Sequence, residues 1–293
     1  MLDRLRTEPV QRRIKLGDLE LSYFEWPGTG PVVLFVHATG FHARCWDAVA
    51  RELPGAHIIA VDLRGHGRSG KVGPYGWDVL ANDIALLCDA LQIEDCVGVG
   101  HSLGGHLITQ TAAVRHRAFR SLLLVDPVVR APEIFADLPQ STKQTTTNPA
   151  TKRRRYFDGP QAMFERFESR LPYSAWNRVV LSDYCEHGLA RDPDGKYELA
   201  CPPEVEAAIY AAAGSVDIHV ALPRIQIPVV VLRARPQLGG AAGYDFSSSP
   251  TWSELAASFP NGRDVQYPQL THFIPMQVPE VVAEHVKQAR AAN

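Results

Sequence analysis

The sequence Gly-His-Ser-Leu-Gly at positions 100–104 constrains the fold of this chain most strongly. An apolar run, Cys96 to Val99, leads into it, and a helical pattern from Leu103 through Ala113 follows directly. This order predicts a strand, a sharp turn and a helix, with glycines that let neighbouring backbone approach a serine in a strained conformation. The backbone N–H groups at the start of that helix face any negative charge that develops there. Ser102 is therefore the candidate nucleophile.

Further apolar runs on both sides of this motif predict a mostly parallel sheet that is covered on both faces. They alternate with helical patterns, as in Trp77 to Leu91, which is typical of α/β proteins. An alternating pattern from Arg12 to Phe24, with a turn at Gly17-Asp18, predicts a strand pair at one edge. The buried strands are predicted at Val32 to Val36, His57 to Val61, Ser121 to Val125 and Pro228 to Leu232.

The pattern changes between residues 129 and 223. Strand patterns disappear, and helices are predicted at Gln161 to Leu171, Tyr173 to Glu186 and Pro203 to Ala213. The sequence therefore predicts a helical cap over 129–223, inserted into a core made of residues 1–128 and 224–293. A further helix is predicted at Trp252 to Phe259, and Pro279 to Ala291 has the pattern of a closing amphipathic helix.

Composition argues against several classes of partner. The 293-residue chain has a net charge of −2, which disfavours nucleic acid and anionic membrane surfaces as main partners. Its five scattered cysteines lack metal spacing and are interpreted as reduced core residues. The first 17 residues lack the apolar stretch of a signal peptide, and apolar runs such as Val32 to Val36 are too short to span a bilayer. We expect a cytoplasmic protein without a stable membrane anchor; nothing in the sequence specifies an oligomeric state.

Four motifs, in their order along the chain, resemble those of the α/β-hydrolase superfamily. They are the loop that begins at His37, the segment from Asp62 to Ser69, the serine motif, and the segment from Thr271 to Pro275. The resemblance covers nearly the whole chain except the cap. It implies an α/β-hydrolase fold, with a mostly parallel eight-stranded sheet and a cap over the site. It also implies the chain order nucleophile, acid, histidine.

A serine hydroxyl needs a base to take its proton. His272 is the candidate base, because it lies in a loop just before the final helix, where this fold places its catalytic histidine. His66 is expected to stabilise the turn after the fourth strand, and His101 to pack behind the serine turn.

Two carboxylates are candidates to orient that histidine. Asp245 follows the strand after the cap and precedes His272 by 27 residues, a spacing typical of the family. Asp126 ends the strand after the nucleophile helix, where some relatives place their acid. Asp245 is favoured on spacing, although the glycine-rich stretch before it is longer than usual, and Asp126 is the alternative.

An oxyanion needs two aligned N–H donors. The N–H of Leu103, directly after the nucleophile, is one candidate. The resemblance implies Thr39 as the other, but the sequence His-Ala-Thr-Gly at positions 37–40 departs from the family pattern, so Gly40 stays open as an alternative donor.

The substrate pocket is expected to involve His37, Phe41, His101, Trp176 and Phe273. Asp62 and Arg64 are interpreted as structural, because they lie in a glycine-rich turn. The basic run Lys152 to Arg155 is interpreted as a solvated helix face, with an anion clamp over the pocket as the alternative.

The sequence thus predicts a capped serine hydrolase that cleaves a carboxylic ester of small to medium size through an acyl-enzyme. Its partner would be a small ester-like molecule, with no cofactor, no metal and no nucleic acid. Two alternatives remain: a carbon–carbon bond hydrolase acting on a diketone ring-cleavage product, and a non-catalytic small-molecule receptor on the same fold.

Overall fold

The structure, a computed structural model, describes residues 8–136, 148–237 and 246–291. Eleven strands are formed in this part of the chain. Their bounds are β1 Val10–Leu16, β2 Leu19–Trp26, β3 Thr29–Val36, β4 Ala56–Val61, β5 Cys96–His101, β6 Phe119–Val125, β7 Tyr156–Phe157, β8 Leu189–Arg191, β9 Tyr197–Leu199, β10 Val229–Arg233 and β11 Gly262–Gln266. The predicted strands are all present, most of them one to three residues longer than the apolar pattern indicated.

Eight strands form one sheet in the order β1-β2-β4-β3-β5-β6-β10-β11. The first two are antiparallel to each other, and β2 is antiparallel to β4; every other pair in the sheet is parallel. The α/β-hydrolase fold and the edge strand pair are confirmed. Because β3, β5, β6 and β10 are parallel neighbours, the loops that follow them meet at one edge, where open α/β sheets bind ligands.

Helices cover both faces of the sheet, which explains why its central strands are continuously apolar. One buried cluster includes α2 and α3, and a second, on the other face, includes α1 and α9. All five cysteines are buried and free. The helices are α1 Asp47–Arg51, α2 Trp77–Ala90, α3 Leu103–Val114, α4 Pro132–Ala136, α5 Pro160–Phe167, α6 Arg178–His187, α7 Pro203–Ala211, α8 Ile274–Gln277 and α9 Pro279–Ala291.

The segment between β6 and β10 contains helices α4 to α7, but it is not purely helical. The expectation that strands disappear here is wrong, since β7, β9 and β8 form a small antiparallel sheet. These strands have only two or three residues, too few to produce a recognisable alternation. A third apolar cluster joins this segment to the loop before α8, through Met163, Tyr184 and Phe273.

The helix predicted at Trp252 to Phe259 is much shorter than expected. Only Ala256–Ser258 is helical within the stretch from Trp252 to Phe259, as a single 3₁₀ turn. The N–H of Trp252 donates instead to the carbonyl of Val129. In the described part of the chain, no helix combines the length and apolarity needed to cross a bilayer.

Candidate active site

Ser102 lies at the turn between β5 and α3, in the strained conformation that the motif predicts. Its φ is +57°, a left-handed value that is uncommon for any residue with a side chain. The flanking glycines permit the turn: a Cβ on Gly100 would lie 2.4 Å from the carbonyl oxygen of Gly104, and one on Gly104 would lie 2.2 Å from that of Val36. Larger residues at either position would push the serine out of place.

His272 connects Ser102 to a buried carboxylate. The Oγ of Ser102 lies 2.9 Å from Nε2 of His272, and Nδ1 of the same ring lies 2.7 Å from Oδ2 of Asp126. Since a carboxylate only accepts, the Nδ1–H donates to Asp126 and leaves Nε2 as the acceptor for the serine hydroxyl. This is the tautomer that a general base requires.

Asp126 is fully buried, and its second oxygen is also occupied. Oδ1 accepts from the N–H of Ala234 at 2.9 Å and from the hydroxyl of Ser249 at 2.6 Å. Its φ of +46° is left-handed, like that of Ser102. The carboxylate beside His272 is therefore the alternative acid of the sequence prediction. Asp245, the favoured one, lies outside the described residues.

His101 holds the loop of the candidate base from behind. Its Nε2–H donates to the carbonyl oxygen of His272 at 2.9 Å, and the two ring centroids are 5.1 Å apart. Burial, together with the nearby His272, holds the pKa of His101 well below its usual range. A neutral His101 adds no positive charge next to an imidazolium at His272.

Two buried histidines tie the loops after β3 and β4 together. His37 accepts the N–H of Leu63 at 3.0 Å and donates to the carbonyl of Ala38. His66 accepts the N–H of Gly40 at 3.0 Å and donates to the carbonyl of Arg64. The structural roles predicted for His66 and for the turn are consistent with these bonds.

The carboxylate of Asp62 adds two more bonds in the same region. It accepts the N–H groups of Ala43 at 2.7 Å and Arg68 at 2.8 Å. Arg64 makes a two-pronged ion pair with Asp83, each contact being 2.7 Å long. Asp62 and Arg64 thus stabilise the loops by hydrogen bonds and an ion pair, which is consistent with the structural role interpreted from the sequence.

These hydrogen bonds favour Thr39 over Gly40 as the candidate oxyanion donor of the loop after β3. The N–H of Gly40 is occupied by His66. The N–H groups of Thr39 and Leu103 donate to no acceptor within the described residues, and both residues line a cavity beside Ser102. Leu103 opens α3, where a helix leaves its N–H groups without intrahelical partners.

Two cavities meet at Ser102, His272 and Thr39. The first has a volume of about 490 Å³ and extends past Arg130, Arg233 and Trp252. The second, of about 270 Å³, is rich in aromatic side chains, which include Phe41, Tyr173, Trp176, Tyr184 and Phe273. Both cavities fall near the size range of small-molecule sites.

Three of the five residues predicted for the substrate pocket line one of these cavities. Phe41, Trp176 and Phe273 line the aromatic cavity. His37 and His101 do not line either cavity and are buried at 1% exposure. This part of the prediction is wrong because both rings are committed to backbone groups behind the site.

The basic run at 152–155 is not a solvated helix face. Only Lys152 ends a short 3₁₀ turn, and the three arginines are in extended or irregular backbone. Arg153 lines the aromatic cavity, but it pairs with Glu206 at 2.5 Å and donates to the Tyr184 hydroxyl at 2.9 Å. Arg155 pairs with Glu198 and Glu204. Arg153 and Arg155 thus form ion pairs with other residues of the segment between β6 and β10.

Sequence reasoning missed three groups around the base. Ser249 and the N–H of Ala234 hold Asp126, and the ring of Phe246 stacks on that of His272 at 5.7 Å. The serine-rich stretch Ser247 to Ser249, between β10 and β11 in the sequence, was the available signal. No group of three or more metal-binding side chains occurs within the ranges that the structure describes.

Comparison with known proteins shows the family of the chain. The bifunctional esterase/perhydrolase DCH of Acinetobacter calcoaceticus is 26% identical over 282 residues, which cover 90% of this chain and 93% of that protein. A non-heme haloperoxidase of Rhodococcus erythropolis is 36% identical over 196 residues, 61% of this chain and 68% of the relative.

Among solved structures, E-2-(acetamidomethylene)succinate hydrolase superposes with a TM-score of 0.77 at 23% identity, over 97% of this chain and all of that one. A family model described as the alpha/beta hydrolase family matches residues 33–285. The chain therefore belongs to the alpha/beta hydrolase family.

Proposed function

We propose that this hydrolase cleaves a carboxylic ester through a covalent intermediate on Ser102. The observation that carries the proposal is the hydrogen-bonded series Ser102–His272–Asp126, with distances of 2.9 and 2.7 Å, at the junction of two cavities. An intact base and acid beside the serine favour an enzyme over a receptor. The esterase/perhydrolase relative supports an ester as the substrate.

In the proposed reaction, His272 accepts the hydroxyl proton as the Ser102 Oγ attacks the ester carbonyl carbon. The carbonyl oxygen becomes an anion, which the N–H groups of Leu103 and Thr39 would hold. Collapse of this intermediate breaks the bond to the leaving alkoxide, which takes the proton from His272. Asp126 stabilises the imidazolium in between.

The acyl group on Ser102 is then released by water. His272 takes a proton from the water, the hydroxide attacks the acyl carbon, and the serine leaves with the proton from the imidazolium. The segment at 129–223 would act as a cap, since its aromatic side chains close the smaller cavity above the serine. Water exclusion there would strengthen the oxyanion bonds.

The proposal is tested by hydrolysis of 4-nitrophenyl butyrate. We expect turnover by the unmodified protein and a loss of about 10³-fold or more in Ser102→Ala. Ser121→Ala is the matched control, because Ser121 is a buried serine at the opposite end of β6. Binding of esters without turnover, or equal turnover in Ser102→Ala, contradicts the proposal.

A further inference from the structure

The 490 Å³ cavity beside Ser102 differs from the aromatic cavity in its charge. Its described wall contains two arginines, Arg130 and Arg233, and no aspartate or glutamate. The described wall of the aromatic cavity contains one of each sign, Arg153 and Glu206, already paired with each other. The two sides of Ser102 therefore present different environments to a substrate.

The two arginines of the larger cavity are not equivalent. Arg233 makes a two-pronged ion pair with Asp264, at 2.6 and 2.8 Å, so its charge is largely balanced. Arg130 is exposed, and its guanidinium pairs with no carboxylate anywhere in the described chain. Among the described lining residues, Arg130 is thus the one cationic side chain without a carboxylate partner.

The backbone at Arg130 is held in place. The ring of His219 donates from Nε2 to the carbonyl oxygen of Arg130 at 2.9 Å, and its Nδ1 contacts Asp217 at 2.6 Å. The same ring packs against Trp252, which also lines the cavity. The position of Arg130 at the cavity wall is therefore supported from behind.

We propose that Arg130 binds a carboxylate on the substrate, so that the preferred substrates are esters that also carry a free carboxylate. This inference rests on the proposed function. A guanidinium presents parallel N–H donors that match the two oxygens of a carboxylate. One carboxylate balances the single free charge, whereas a phosphate monoester has close to two charges at neutral pH. The paired Arg153 and Glu206 make the aromatic cavity suited to the neutral part of the same molecule.

The test compares two esters of matched size, 4-nitrophenyl hydrogen glutarate and 4-nitrophenyl valerate. The measured quantity is the ratio of their kcat/KM values, anionic over neutral. We expect Arg130→Met to lower this ratio about tenfold, because a charge-assisted hydrogen bond is lost. Arg130→Lys should keep part of the preference, and high salt should reduce it in the unmodified protein.

Arg117→Met is the matched control. Arg117 is also exposed and without an ion pair among the described residues, but it precedes β6, at the edge of the sheet opposite Ser102. Its replacement should leave the ratio unchanged. Calorimetric binding of free glutarate gives a second reading that does not depend on turnover, and its Kd should rise about tenfold in Arg130→Met.

The outcomes separate the two proposals. If the neutral ester is turned over but the ratio and the glutarate Kd are the same in Arg130→Met, the carboxylate site is wrong while the proposed hydrolase function stands. If neither ester is turned over, the hydrolase function is wrong, and the substrate preference that rests on it is overturned as well.

Discussion

Nδ1 of His272 lies 2.7 Å from Oδ2 of Asp126, a residue that follows β6 directly. The carboxylate that contacts the candidate base thus follows β6, the neighbour of β10 in the sheet, whereas spacing favours an acid after β10. Oδ1 of the same carboxylate is held by Ala234, which follows β10, and by Ser249. The carboxylate therefore follows β6, and the groups that orient it, Ala234 and Ser249, come after β10 in the sequence.

We expect Asp126→Asn to lower kcat by about 10⁴-fold, since the amide would favour the wrong tautomer of His272. The Asn oxygen can still accept from Ala234 and Ser249, so the variant should fold, which a melting curve checks. Asp245→Asn is the matched control and should stay within a few-fold of the unmodified activity on the same ester. An inactive, folded Asp245→Asn beside an active Asp126→Asn would show that the acid lies after β10.

His101 should act on the reaction through the position of His272. His101→Leu removes the bond to the His272 carbonyl, and we expect a loss of roughly tenfold in kcat, the size of one hydrogen bond. His101→Gln, whose amide N–H₂ can replace the ring donor, should recover part of the loss. If both variants match the unmodified protein across the pH profile, the contact contributes only to packing.

The oxyanion should be held by backbone groups, and not by the hydroxyl of Thr39. That hydroxyl makes no hydrogen bond within the described chain. Thr39→Val keeps the N–H and the shape, so kcat should fall less than tenfold. A drop of 10²-fold or more, the size associated with a lost oxyanion donor, would instead identify the hydroxyl as a donor.

Because several histidines are buried, we expect the free energy of unfolding to decrease at acidic pH. Burial lowers the pKa of His37 to about 4, despite its bond to Ala38, whereas an unfolded histidine titrates near 6.5. Between these values the unfolded state binds more protons, so the free energy of unfolding falls as the pH is lowered through this window. His37 contributes about 1 kcal/mol per pH unit there, and its contribution to the slope fades as the pH rises past 6.5.

Chemical denaturation at about pH 7 and pH 5 measures this dependence. His37→Gln, whose side-chain oxygen can take the place of Nε2 and still accept from Leu63, should show a smaller drop between the two conditions than the unmodified protein. The pKa values of His66 and His101 are also lowered by burial, so part of the drop should persist. An identical drop in the variant would contradict the assignment to His37.

Local patterns were sufficient to predict most of the fold and to single out Ser102 and His272, whose side chains the structure brings into contact. The sheet strands are apolar throughout because both faces are covered, and the glycines around Ser102 are required by contacts as short as 2.2 Å. His272 could be located because it directly precedes the last helices. The apolar strands, the glycines beside Ser102 and the position of His272 can each be recognised from nearby residues or from the repeated pattern of strands and helices.

The remaining features depend on contacts between distant residues. Asp126 meets His272 across 146 positions of sequence, so spacing from the histidine did not identify it. Thr39 is favoured over Gly40 as an oxyanion donor only because the N–H of Gly40 donates to His66, a contact that the sequence does not show. The ion pair of Arg153 with Glu206, 53 positions away, could not be predicted from the basic run alone. The short strands β7 to β9 gave no pattern, since each has three residues at most.

The central claim is that Ser102 forms the covalent intermediate, and intact-mass measurement after treatment with a fluorophosphonate tests it most directly. We predict one adduct per chain, mapped by peptide sequencing to Ser102, absent in Ser102→Ala and strongly slowed in His272→Ala. Labelling of a different serine, or undiminished labelling in Ser102→Ala, would contradict the account.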